Sequence, residues 1–396
     1  MTTTATLPQL QCESDVGIAT VPLASEGAFA SWQGDIPERF RTLGGPELVE
    51  RVREARAALG QRAVVLGHHY QREDIIQFAD RRGDSFDLAR YAASHPESEY
   101  IVFCGVHFMA EAADVLSAPH QQVVLPNLAA GCSMADMAAQ PDVLGAWREL
   151  AAEFGGTEEI IPVTYMNSAA ALKSFCGERG GIVCTSSNAG RVLAWALERG
   201  RRIFFFPDQH LGRNTAHAMG IPEREVSLWN WRLPSGSRGG LSTDELRRSR
   251  IILWEGHCSV HQRFSLTQVE RARAQHAGVR VVVHPECRAE VVRHADAVGS
   301  TAYIARYVEE APAGAVLAVG TEINLVSRLA KENPDKTVFC LDPVVCPCST
   351  MYRVHPAYLA WVMEELAEGR VVNRVQVPEQ QKEHARVALQ RMLQLA

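Results

Sequence analysis

The feature that most constrains the fold is a rhythm. From about residue 46, short β-branched apolar runs alternate with amphipathic stretches along the chain. The runs are AVVL, YIVF, QVVL, IIPVTYM, GIVC, RIFFF, IILW, VRVVVH, AVLAV and TVFCL, and helical patterns such as SNAGRVLAWALERG separate several of them. A run that is apolar at nearly every position reads as a strand covered on both faces, and such strands alternating with helices form parallel sheets. The chain is therefore expected to be α/β. Its first regular elements are a helix over Glu47 to Leu59, stopped by Gly60, and a strand over Ala63 to Leu66. Residues 1–45 show no sustained period and read as an irregular extension.

In parallel sheets ligands bind beyond the carboxyl ends of the strands. The residues that follow the runs are unusual as a set: GHHYQ (67–71), NLAAGCS (127–133), YMNS (165–168), CTSSN (184–188), PDQH (207–210), EGHCS (255–259), HPEC (284–287), GTE (320–322) and DPVVCPC (342–348). Histidine, cysteine, hydroxyl and amide groups dominate where an ordinary surface loop would carry lysine and glutamate. Gly-Asp-Ser at 83–85, Thr-Ser-Ser-Asn at 185–188 and Gly-Ser-Thr at 299–301 each precede a helical pattern. Each alone reads as a helix cap; three in parallel point to an anionic ligand held at helix starts.

The net charge of −6 argues against a general nucleic-acid binder, and no apolar run approaches the roughly 18 residues of a membrane span. The first residues, MTTTATLPQLQCESD, have neither the basic segment nor the apolar core of a signal peptide, so a cytoplasmic protein is expected. Ten cysteines in such a chain are not expected to be disulfide staples. Cys104, Cys184 and Cys340 lie in apolar runs and read as core, while Cys132, Cys258 and the pair Cys346 and Cys348 sit at loop starts. These three places are 126 and then 90 residues apart, so no local C-x2-C site joins them. Three readings stay open at this point: a zinc site built on His257, Cys258 and His261, a thiol sensor at Cys346-Pro347-Cys348, and a centre to which distant loops contribute one thiolate each.

Taken together and in order, VLGHHYQ, GDSFDLAR, GVHFMAE, LPNLAAGCSMAD, YMNS, CTSSNA, EGHCSVHQRF, HPEC, GSTAYI and CPCSTM resemble the quinolinate synthase family, over about residues 60 to 355. The resemblance implies three pseudo-symmetric αβα domains with short parallel sheets around a central active site. It divides the chain into an extension 1–45, a first domain 46–131 with segment 349–396 packed on it, a second domain 132–257 and a third 258–348. It implies a [4Fe-4S] cluster held by Cys132, Cys258 and Cys348, the last because the family's Cys-x-x-Met pattern fits Cys348 and not Cys346. The implied reaction condenses iminoaspartate with dihydroxyacetone phosphate to quinolinate, in de novo NAD biosynthesis, with iminoaspartate supplied by an aspartate-oxidising enzyme. His68, Tyr70, His284 and Glu286 match the family's catalytic positions, with His284 and Glu286 as an acid/base pair. Ser85, Tyr165, Asn167, Ser186, Ser300 and Thr301 match substrate-binding positions. The extension, the long segment between Cys132 and Tyr165, and the stretch 233–250 exceed compact members of the family, and SGSRGG within it is expected to be a flexible surface loop.

Overall fold

The computed structural model describes residues 20–26, 36–344 and 347–395, so Cys12 and Cys346 lie outside the described residues. It contains three sheets. The first uses β1 (Ala63–His68), β2 (Arg81–Gly83), β3 (Tyr100–Cys104), β4 (Gln122–Val124) and, from the far end of the chain, Arg374–Val375. The second uses β5 (Ile160–Tyr165), β6 (Ile182–Cys184), β7 (Arg202–Phe206), β8 (Val226–Trp229) and β9 (Ile251–Trp254). The third uses β10 (Ala297–Val298 is its neighbour β11), β12 (Val316–Gly320) and β13 (Thr337–Cys340), with β10 spanning Arg280–Val283; the strand Arg374–Val375 is β14.

All ten apolar runs are strands, and every pairing is parallel except that of β14 on β4. The strand orders are β14-β4-β3-β1-β2, β6-β5-β7-β9-β8 and β11-β10-β12-β13. In each sheet the first strand of the unit lies between the second and the third, and a further strand pairs beside the third. This winding is repeated three times, with β8 and β14 as additions at the edges. Of the central strands, β1, β3 and β5 are buried at every position and β7, β10 and β12 at all but the first, as their apolar sequences require.

The helices supply the covering layers. Gly45–Leu59 carries Pro46 in its first turn, buries Leu48, Val52, Ala55 and Leu59, and stops at Gly60 with φ 53°. Pro356–Ala367 packs against it, and β14 extends the first sheet. The last helix, Glu379–Gln394, goes elsewhere: it lies on Ala170–Glu178 and β6, in the second unit. Gly177 makes that approach possible, since a Cβ there would stand 1.8 Å from the His384 carbonyl oxygen.

The described part of the extension is packed, with Leu23 and Phe40 buried. The SGSRGG stretch is a tethered turn: the amides of Gly236 and Arg238 each donate to Glu149 at 2.8 Å, and Gly239 (φ 59°) sits under the Trp229 ring, where a side chain would collide.

Candidate active site

The repeated winding aligns equivalent strand ends. Beyond the first strand of each unit come His68 and Tyr70, then Tyr165 and Asn167, then His284 and Glu286. Past the second strand come Ser85, Ser186 and Thr301, and past the strand that pairs outside the third come Cys132, Cys258 and Cys348. All twelve of these residues line one cavity. Ser300 is the exception among the expected site residues: it is not part of the lining, and its hydroxyl caps the helix Thr301–Glu309 by accepting the Tyr303 amide at 3.3 Å. At the first helix start the cap is Asp84, which accepts the amides of Phe86 and Asp87, so Ser85 is the first helical residue and its hydroxyl is left to the cavity.

His68 and His284 are held in the same way. The Tyr70 amide donates to Nδ1 of His68 at 3.1 Å, and the Glu286 amide donates to Nδ1 of His284 at 3.3 Å. An amide can only donate, so the proton of each neutral ring is on Nε2. Burial pushes His68 well below the usual histidine range and His284 down to about 3, so both are neutral hydrogen-bond donors at neutral pH.

The carboxylate of Glu286 is the hub of a buried network. It accepts from the Tyr165 hydroxyl at 2.6 Å through Oε1 and from Nδ1 of His261 at 2.9 Å through Oε2. His284 Nδ1 stands 3.9 Å from it, beyond hydrogen-bond reach, while the His284 ring stacks on His261 with centroids 4.5 Å apart. The hydrogen-bonded histidine–glutamate pair is therefore His261 with Glu286. Nε2 of His261 faces the hydroxyls of Thr321 at 3.2 Å and Tyr70 at 3.3 Å, which are themselves 2.7 Å apart. Burial alone would raise the Glu286 carboxyl, but the His284 and His261 rings and the two hydrogen bonds reverse this and hold it below the ordinary range. Burial, then the charge of Glu286, keeps the phenols of Tyr70 and Tyr165 well above theirs, so both remain proton donors.

The thiols complete the wall. Burial pushes Cys132 up to about 12 and raises Cys258 and Cys348; Cys348 further raises Cys132, and Cys348 and Cys132 further raise Cys258. Three soft donors converging from three loops fit a thiolate-bound metal centre, whose positive charge would favour their ionised forms. Cys104, Cys176, Cys184, Cys287 and Cys340 are buried in the core. The local zinc reading is not assembled. Cys258, His261 and Glu286 do bring one donor atom each within 4.8 Å of one another, but His257 is not in that group, and both ring nitrogens of His261 are engaged in the network above.

The sequence reading left His261 loosely placed and passed over Thr321, Glu322 and Asp208. Glu322, fully buried with its carboxyl raised by burial to about 7, accepts the Cys348 amide at 3.1 Å. Asp208, fully buried, caps the helix Gln209–Ala218 by accepting the Leu211 amide at 2.6 Å. All three stand at strand ends, in GTE and PDQH, which was the available signal.

Fold and cavity together define an α/β enzyme whose buried histidines, phenols and carboxylate and whose metal-capable thiols come from three equivalent sets of strand ends. A family model described as quinolinate synthetase A protein matches residues 50–394. The quinolinate synthase of Corynebacterium glutamicum is 57% identical over 366 residues, covering 92% of each chain. That of Acidobacterium capsulatum is 53% identical over 361 residues (90% of this chain, 95% of the relative), and that of Geobacillus kaustophilus 49% over 362 (91% and 97%). The chain belongs to the quinolinate synthase family. Among the described residues no helix is long and apolar enough to cross a membrane.

Proposed function

We propose that the protein condenses iminoaspartate with dihydroxyacetone phosphate to quinolinate, releasing phosphate and two waters, as a cytoplasmic step of de novo NAD biosynthesis fed by an aspartate-oxidising enzyme. The observation that carries this reading is the convergence of Cys132, Cys258 and Cys348 on a cavity also lined by His68, Tyr70, His284 and Glu286. The same reading takes 46–131, 132–257 and 258–348 as three domains around the site, supported by one repeated sheet in each range.

The three cysteines would hold a [4Fe-4S] cluster, which with three protein ligands for four irons supplies a Lewis-acidic iron for the dehydrations. The chain's own groups do the rest. The substrates are anionic, yet among the described residues no lysine or arginine lines the cavity. Carboxylate and phosphate oxygens are therefore received by neutral donors: the hydroxyls of Ser85, Ser186 and Thr301, the Asn167 amide, and the backbone amides at the helix starts Ser85–Ala93 and Thr301–Glu309, which Ser300 caps. His68 and His284 present Nε2–H to substrate oxygens as fixed donors. Glu286, ionised and buried, accepts a proton through Tyr165 or His261, and Tyr70 returns one from its hydroxyl, which His261 and Thr321 hold in place.

The test is direct. Protein purified without oxygen is given iminoaspartate and dihydroxyacetone phosphate, and quinolinate and phosphate are measured. Equimolar formation of both supports the reading; no quinolinate from iron-loaded protein overturns it.

A further inference from the structure

The segment Thr20–Glu26 belongs to the extension, to which no role has been given, yet it meets two loops of the site. Arg72 follows Tyr70 by two positions and is 3% exposed. Its guanidinium binds both oxygens of Asp74, at 2.9 and 3.2 Å, and Oε1 of Glu26 at 2.8 Å, and lies 4.4 Å from the centre of the Tyr352 ring. Tyr352 and His355 are on the loop that follows Cys348. The Tyr352 hydroxyl donates to the same Glu26 oxygen at 3.5 Å, and Nε2 of His355 also stands 3.5 Å from it. His355 accepts the Ala357 amide on Nδ1 at 3.1 Å, so its proton is on Nε2, which donates to the Val21 carbonyl at 3.0 Å. Thr20 donates to Asp74, and Leu23 is buried. Directly between the two loops run the Arg72–Tyr352 ring contact and the contacts of Gln71 Nε2 with the Met351 carbonyl at 3.4 Å and sulfur at 3.3 Å, none of which joins two charges as Glu26 and Arg72 do.

We propose that Glu26 is a positioning residue: it clasps the loop that carries His68 and Tyr70 to the loop that follows Cys348, and so fixes the place of the Cys348 thiol relative to the Tyr70 hydroxyl. A buried carboxylate shared by a guanidinium, a phenol and an imidazole is a fixed junction, because releasing any partner strands a charge or a polar group away from water. The inference rests on the proposed function only in taking Tyr70 and Cys348 as site residues.

The experiment uses metal-free protein and alkylation of its thiols with a maleimide, followed peptide by peptide by mass spectrometry, with Cys104 as the internal control. Glu26→Ala is expected to speed labelling of Cys348 about tenfold with Cys104 unchanged, as the loss of charge-assisted hydrogen bonds opens the loop locally. Glu26→Gln, which keeps an acceptor oxygen and loses the charge, is expected to fall between Ala and wild type. In iron-loaded enzyme kcat falls in the same order while KM stays within about twofold. Wild-type labelling of Cys348 in Glu26→Ala overturns the proposal. So does equal acceleration at Cys104, which would mean general loosening. Failure of the proposed reaction shows instead as absence of quinolinate from the wild-type enzyme and leaves the labelling result untouched.

Discussion

Glu286 Oε2 lies 2.9 Å from Nδ1 of His261, and both residues are almost wholly buried, at 3% and 1% exposure. A carboxylate that only accepts makes Nδ1 the donor, and in the neutral ring it leaves Nε2 as an acceptor facing Tyr70 and Thr321. Glu286, His261 and Tyr70 thereby form one hydrogen-bonded chain. Glu286→Gln and His261→Asn are each expected to lower kcat by about 10²–10⁴, with KM changed far less, and the double variant is expected to be little worse than either single one. Steady-state kinetics of the three proteins decides it. Multiplying losses would show that the residues act independently.

That pair also marks the limit of what the sequence discloses. The ten apolar runs were legible as strands because strands of a parallel sheet covered by helices are apolar on both faces. The strands not foreseen are β2 (RRG), β8 (VSLW), β11 (AV) and β14 (RV), which lie at sheet edges and are two to four residues long. Pairing with a neighbour makes them strands, and their own composition does not. The cavity lining was legible because its residues follow strands directly. The role of His261 was not, since it depends on Glu286, 25 positions on, and on Tyr70, 191 positions back, and its nearest sequence neighbours, His257 and Cys258, suggested a local metal site instead.

The cysteines separate by place in the fold. Cys132→Ser, Cys258→Ser and Cys348→Ser are each expected to lose most of the roughly four irons and four sulfides per chain that one cluster requires. Cys104→Ser, in the core of β3, is expected to keep them. Iron and acid-labile sulfide assays on protein prepared without oxygen provide the comparison. Equal metal content in Cys258→Ser and Cys104→Ser would remove the thiol assignment.

Ser300 and Thr301 are neighbours with different surroundings. The Ser300 hydroxyl accepts the Tyr303 amide, whereas Thr301 lines the cavity. Ser300→Ala is therefore expected to cost about 1 kcal/mol of stability, the ordinary value of a lost helix cap, with KM nearly unchanged. Thr301→Val, which keeps the shape and removes the hydroxyl, is expected to raise KM for an anionic substrate about tenfold with little change in melting temperature. Thermal melting and kinetics on both variants would reveal a reversal of these roles.

Acid should weaken the fold through histidines that are buried neutral. Burial lowers His355 to about 3, against about 6.5 for an exposed histidine. Between those values the unfolded chain binds a proton that the folded chain does not, so this contribution to stability is complete above about pH 6.5 and is lost as the pH falls toward 3. One such group gives a slope of at most about 1.4 kcal/mol per pH unit. His69, lowered to about 4 by burial and by Arg328, loses stability in the same direction. Denaturant unfolding between pH 7 and pH 5 is expected to show stability declining with acidification, and His355→Gln is expected to reduce that slope while lowering stability at pH 7. An unchanged slope in His355→Gln would mean that this ring takes up its proton without unfolding.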